Sequence, residues 1–223
     1  MNEFIDEYCE RIAPGFLGEP LNAISNLGFI VVAILLAKQY SAAKNQTTLP
    51  VQWDVAILIL LTFLVGIGSG LWHLLAVSWT LSADIIPILL FINLYILSCF
   101  ARVLQCSWKQ TLLWFVIYHV FNTSLRHIFP TDFLNGSIFY LPTLIFLLGI
   151  AYIVWKRKLQ EKVFYLIAAI LFTVSLAFRT IDESVCSVIP YGTHFVWHLI
   201  NAVMMYYLMQ GLMFRLKLKW AGL

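Results

Sequence analysis

Apolar residues along this 223-residue chain come in long runs rather than in strict alternation with polar ones. Seven runs can be drawn, at residues 21–40, 55–77, 81–103, 108–125, 136–155, 163–178 and 190–212. Each is close to the ~20 residues that a helix rising ~1.5 Å per residue needs to cross a hydrocarbon layer. Lipid offers no hydrogen bonds, so a backbone crossing it must satisfy its own N–H and C=O groups, which a helix does within one segment. The pattern therefore predicts an all-α integral membrane protein, a seven-transmembrane helix bundle. The fourth and sixth runs are the weakest, and Tyr118, His119, Asn122 and Thr123 make the fourth amphipathic. No repeat, low-complexity tract or Pro/Gly-rich linker divides the series, and "KQYSAAKNQTTLPVQWD" reads as an ordinary interhelical loop. One domain over residues 1–223 is expected: an extracytoplasmic segment 1–20, a bundle 21–212 and a cytosolic tail 213–223.

Composition removes the soluble alternative. The chain is 61% hydrophobic and 11% charged, with a mean hydropathy of +0.87; a soluble domain carries about 25% charged residues. The basic residues then set an orientation. Lys38, Lys44, Arg102, Lys109, Lys156, Arg157, Lys158, Lys162, Arg215, Lys217 and Lys219 fall on one side of the seven runs, and only Arg11, Arg126 and Arg179 on the other. The positive-inside rule puts the N-terminus outside and the C-terminus in the cytosol. The net charge of +3 needs no nucleic-acid partner, because the basic residues lie where a topology signal places them. The acidic head "MNEFIDEYCE" does not read as a cleaved signal peptide. Short loops favour a bacterial inner membrane, or an ER-type membrane in a eukaryote. Of four cysteines, Cys99 and Cys106 fall near the cytosolic end of the third run, whereas Cys9 and Cys186 fall on the outer, oxidising side and could pair. Spacing alone does not fix that connectivity.

Ionisable groups inside membrane spans are costly, and each asks for a function. "GIGSGLWHLL" in the second run carries Ser69 and His73 at i, i+4; "LSADIIP" puts Asp84 at the outer end of the third; "GTHFVWHLINA" in the seventh puts His194 and His198 at i, i+4. All five fall in the outer half of the expected bundle, with nothing equivalent in the cytosolic half. Three histidines suit a catalytic zinc site, which takes three protein ligands and leaves a position for water. Two at i, i+4 project side by side from one helix, and His73 supplies the third at matching depth. Zinc lowers the pKa of its water to about 7. Asp84 could then move a proton between that water and a leaving group, and Ser69 could hydrogen-bond the oxyanion or hold a ligand. Plainer roles exist: Ser69 easing close helix packing, Asp84 capping its helix, and His119 and His127 bonding neighbouring groups. Ahead of the first run, Glu7, Glu10 and Glu19, with Glu3 and Asp6 nearby, read either as a solvated acidic head or as oxygen ligands for Ca²⁺.

The seven runs, "YCERIAPGFLGEPLNAISN", "SGLWH", Asp84 and "HFVWH" together resemble the alkaline ceramidase family, within the CREST superfamily that includes adiponectin-receptor-like proteins. The likeness covers essentially the whole chain. It implies a seven-helix membrane amidase with intramembrane zinc on His73, His194 and His198, Ser69 and Asp84 beside the metal, and a Cys9–Cys186 disulfide. It also implies a Ca²⁺ site matching Glu7, Tyr8, Cys9, Glu10 and Glu19. The chain departs from the family pattern there: Glu7 replaces its leading Asp, Ile12 stands where it has an Asn ligand, and the stretch between Glu10 and Glu19 is shorter. "YCER" and "EPLNA" look more like bacterial members.

The leading expectation is thus a zinc-dependent lipid amide hydrolase, ceramidase-like, that cuts ceramide or another N-acyl lipid into a fatty acid and an amino lipid. The alternative is a receptor or regulator of the adiponectin-receptor type with a mainly structural zinc, which needs a closed set of four ligands. A transporter fits less well, because its polar groups would line a route across the membrane, often in repeated halves.

Overall fold

Helix accounts for all the regular structure among the described residues of the computed structural model, namely 5, 7–11, 15–16, 18–46 and 50–216. Glu3, Asp6, Ile12, Lys217 and Lys219 lie outside them. A short α1 (Pro20–Ser25) leads directly into α2 (Leu27–Asn45). Then follow α3 (Trp53–Leu75), α4 (Ser78–Ser98), α5 (Trp108–Ile128), α6 (Leu141–Lys156), α7 (Lys162–Ile181) and α8 (His194–Arg215). A helical segment thus occupies each of the seven apolar runs. Local chemistry sets several ends. Proline opens α1, where its missing N–H costs nothing. Ser107 and Gln110 exchange side-chain-to-backbone bonds across the first turn of α5. Gly136 and Gly192 adopt φ of +68° and +60°, so α6 and α8 begin later than the apolar pattern predicts.

Among the described residues, four helical segments are long and apolar enough to cross a membrane: Pro20–Asn45, Trp53–Leu75, Ser78–Val103 and Lys162–Ile181; Leu141–Lys156 is apolar but shorter. The sixth run, expected to be weak, is among the four, because Lys162 and Arg179 sit at its ends and leave its middle apolar. Outward-facing aliphatics such as Ile24, Leu60, Leu113 and Ile170 stand 55–65% exposed. So much exposed apolar surface fits lipid rather than water.

Two close approaches organise the interior. Gly68 lets α3 meet α4 at backbone distance, since a Cβ there would lie 2.0 Å from the Ala83 carbonyl oxygen. Gly211 lets α8 rest on the Tyr165 ring of α7. Leu36, Leu58, Val154, Met209 and Leu212 fill the space between with no more than 0% exposure. Tyr95 donates its hydroxyl to the Leu208 carbonyl at 2.8 Å, joining α4 to α8. Charged groups at the far end lie opposite one another near helix ends. Arg102 grips both Asp54 oxygens at 2.7 and 2.9 Å, and the buried Glu161 lies 3.6 Å from Arg215.

Candidate metal centre

The N-terminal segment, the α7–α8 loop and the start of α8 are tied together around Asp182, which is fully buried. Its Oδ1 accepts the backbone N–H groups of Thr193 and His194 at 2.6 and 2.9 Å, capping α8 where its first four N–H groups lack helical partners. Its Oδ2 accepts from the Cys9 N–H at 3.4 Å. Cys9 is disulfide-bonded to Cys186, with 5.2 Å between Cα atoms. A Cβ at Gly192 would lie 2.2 Å from Asp182 Oδ1, so this knot requires glycine there. The cap fixes His194 at the first position of α8, and His198 follows one turn on.

His73, His194 and His198 converge, each 1–3% exposed, with one ring nitrogen of each within 4.8 Å of the others. Their neighbours decide which nitrogens are free. The Glu19 carboxylate can only accept, so His73 Nδ1, 2.5 Å from Oε2, carries the proton and donates. The Ser25 hydroxyl donates its one proton to the Asn22 carbonyl at 2.8 Å, so it accepts from His198 Nδ1 at 2.8 Å. Nε2 is left as the lone-pair atom of both rings. His73 Nε2 and His194 Nδ1 are buried with no hydrogen-bond partner among the described residues. Unpartnered polar atoms in such surroundings cost a few kcal/mol. A cation with nitrogen ligands relieves that cost, and zinc ligands are held by outer partners of this type.

Asp84 and Ser69 face the same space. Gly68 brings α4 against α3, and Asp84 lines one cavity with Ser69, His194 and His198. Ser69 and Asp84 line the same cavity, and Asp84 Oδ1 is buried with no hydrogen-bond partner among the described residues. Asp84 is not part of the histidine group. Tyr8 packs over the histidines, its ring centroid 4.0 Å from that of His194 and 5.1 Å from that of His73. Arg179 lines the cavity, bonds the Asn135 carbonyl and lies 5.5 Å from the Tyr140 ring centroid. Below the histidines the cavity is apolar, running between Phe91, Ile96, Leu147 and Ile150 to Leu208. From His194 to Leu208 it descends about 21 Å along α8, at ~1.5 Å per residue.

The residues matched to a calcium site do not converge on a common point. Glu7 is exposed and Tyr8 lies on the histidines. Both Glu10 oxygens accept backbone N–H groups of α1, from Leu21 at 2.6 Å and Asn22 at 2.8 Å. Glu19 is bound by Arg11, His73 and Asn22. Burial pushes the Glu10 carboxyl up. Burial acts the same way on Glu19, but bonds and charges from His73, Asn22 and Arg11 outweigh it and hold that carboxyl below its ordinary value.

His119, expected to bond a neighbour, does so through Nε2 to Asn93 Oδ1 at 2.7 Å. Sequence reasoning missed Arg11, Ser25, Asp182 and Arg179. Polar Asn22, Ser25 and Asn26 on one face of an otherwise apolar helix were a usable signal for Ser25. Asp182, in a loop, offered none.

These features define a helical protein fitted to a membrane, with a buried three-histidine centre able to hold a metal ion at the head of an apolar cavity. The chain belongs to the ceramidase family, whose model, described as Ceramidase, matches residues 6–219. No curated protein matches it.

Proposed function

We propose that this chain is a zinc-dependent intramembrane amidohydrolase that cleaves the N-acyl bond of ceramide or another N-acyl lipid, giving a fatty acid and an amino lipid. One observation carries the reading: three inward-facing histidines, with Asp84 and Ser69 beside them, stand at the head of a cavity shaped for an alkyl chain. The chain is one domain whose seven long helical segments span the bilayer, N-terminus outside and C-terminus in the cytosol. The Cys9–Cys186 disulfide supports an oxidising compartment on the metal side.

His73, His194 and His198 would hold the zinc ion. When bound, it supplies a Lewis acid that polarises the amide carbonyl and acidifies a water molecule. The acyl chain lies among Phe91, Ile96, Leu147, Ile150 and Leu208, which sets its amide beside the histidines. Asp84 accepts a proton from the attacking water at Oδ1 and delivers it to the amide nitrogen as the C–N bond breaks. Ser69 stands beside Asp84 on the wall of the same cavity. Tyr8 closes the outer side and limits bulk water. A mainly structural zinc calls for four protein ligands, and the exclusion of Asp84 from the histidine group favours the catalytic reading.

The test is zinc content by mass spectrometry on detergent-purified wild type and His198→Ala, together with fatty-acid release from a panel of N-acyl lipids. About one zinc per chain, lost in the variant, with release by the wild type only, is expected. A folded wild type that takes up no zinc when supplied with it overturns the mechanism.

A further inference from the structure

Calcium is bound by 6–8 oxygens at about 2.3–2.6 Å, so an acidic segment serves it only where its oxygens can converge. Here two of the three carboxylates, Glu10 and Glu19, are engaged elsewhere, and Glu7 is exposed. The Glu10 carboxylate holds the first N–H groups of α1. Glu19 Oε1 is taken by Arg11 Nε, and Oε2 by His73 Nδ1 and Asn22 Nδ2. The Arg11 side chain is 0% exposed, and its second nitrogen donates to the His73 backbone carbonyl at 2.8 Å.

We propose that the Arg11 guanidinium is the resident counter-ion of this site: it neutralises Glu19, positions His73 through it, and makes the centre independent of calcium. A guanidinium keeps its charge at every accessible pH, and its planar fork can meet two acceptors at fixed angles. Those acceptors both belong to the setting of one histidine, its ring partner Glu19 and its own carbonyl. Ring and backbone of His73 are therefore held by a single side chain. Without that cation, Glu19 would be a buried charge short of a partner, which is strongly unfavourable. With it, a calcium ion approaching Glu19 meets a fixed positive charge already in contact. Calcium independence does not rest on the hydrolase reading; the positioning of His73 does, through its role as a zinc ligand.

The experiment uses the purified full chain, wild type, Arg11→Gln and Arg11→Lys. It measures radioactive calcium uptake, thermal midpoint in chelator and in millimolar calcium, and zinc affinity by chelator competition. The wild type is expected to take up no calcium and to melt at the same temperature in both solutions. Zinc affinity is expected to fall about 10–100-fold in Arg11→Gln, as for loss of other outer partners of a zinc ligand. Arg11→Lys should recover part of it, since it restores the charge but not the fork. Stoichiometric calcium in the wild type, a calcium-specific rise in its melting point, or undiminished zinc affinity in Arg11→Gln overturns the proposal. Should Arg11→Gln fail to fold, Arg11→Lys and the wild-type calcium measurements decide it. A wild type without zinc defeats the hydrolase reading instead, and the calcium arm stands apart from that result.

Discussion

The Ser25 hydroxyl accepts a hydrogen bond from His198 Nδ1 at 2.8 Å, joining the first helix to the last across 173 positions of sequence. Because the same hydroxyl gives its proton to the Asn22 carbonyl, it fixes the His198 tautomer. Ser25→Ala removes the acceptor that lies 2.8 Å from the buried ring nitrogen, at a cost of about 1 kcal/mol. Zinc affinity should fall at least about tenfold. Competition with a calibrated chelator measures it, and unchanged affinity would show that the tautomer is set by other means.

Asp84→Asn keeps the shape of the carboxylate and removes its capacity to take up a proton. Hydrolysis should drop by about 10²–10⁴-fold while zinc content stays at the wild-type level. Turnover of metal-loaded protein, read beside metal analysis of the same sample, separates the two effects. Loss of zinc along with activity would make Asp84 a ligand instead.

Gly68→Ala pushes a methyl group into the Ala83 carbonyl, where the gap is 2.0 Å. Overpacking of this kind costs about 1–3 kcal/mol, and here it also separates Asp84 from Ser69. Both melting temperature and turnover should fall. Gly149→Ala is the control: nothing lies within 4 Å of its Cβ, and alanine in a helix gains roughly 0.5–1 kcal/mol over glycine. Thermal melts of the two variants should move in opposite directions.

Leu208 lines the cavity and is the last residue along α8 to do so. Leu208→Phe shortens the room available to an acyl chain, so selectivity among saturated N-acyl lipids should shift toward shorter chains, with zinc content unchanged. Competition between substrates of different chain length in one vessel reads the shift directly. An unaltered preference would mean that the chain leaves the cavity before reaching α8's lower half.

Hydropathy located every long helical segment because an apolar run of that length has few other uses. Where glycine at φ of +60° and the Asp182 cap intervene, the run misplaces the start: residue 190 expected, His194 found. The three histidines were legible for a similar reason. Polar rings one turn apart in an apolar helix are conspicuous, and their depth could be counted from the run ends. Their supports were not legible. Arg11 reads as a stray outer cation until it is seen inside, against Glu19 and the His73 carbonyl. Asp182 reads as a solvated loop residue, yet it is buried and serves two separate segments. Such roles depend on partners far away in sequence, and no local pattern encodes them.

Cys9 and Cys186 are bonded across 177 positions, and the histidine group draws on residues from 73 to 198. A chain is made from its N-terminus onward, so Glu19, Ser25 and His73 are in place long before their last partners exist. The centre is therefore assembled late, only once α8 has been made. Metal capture then doubles as a report that synthesis has reached its final helix. A nascent chain stalled before residue 194 would carry one histidine of the three and lack the group that could hold a metal ion.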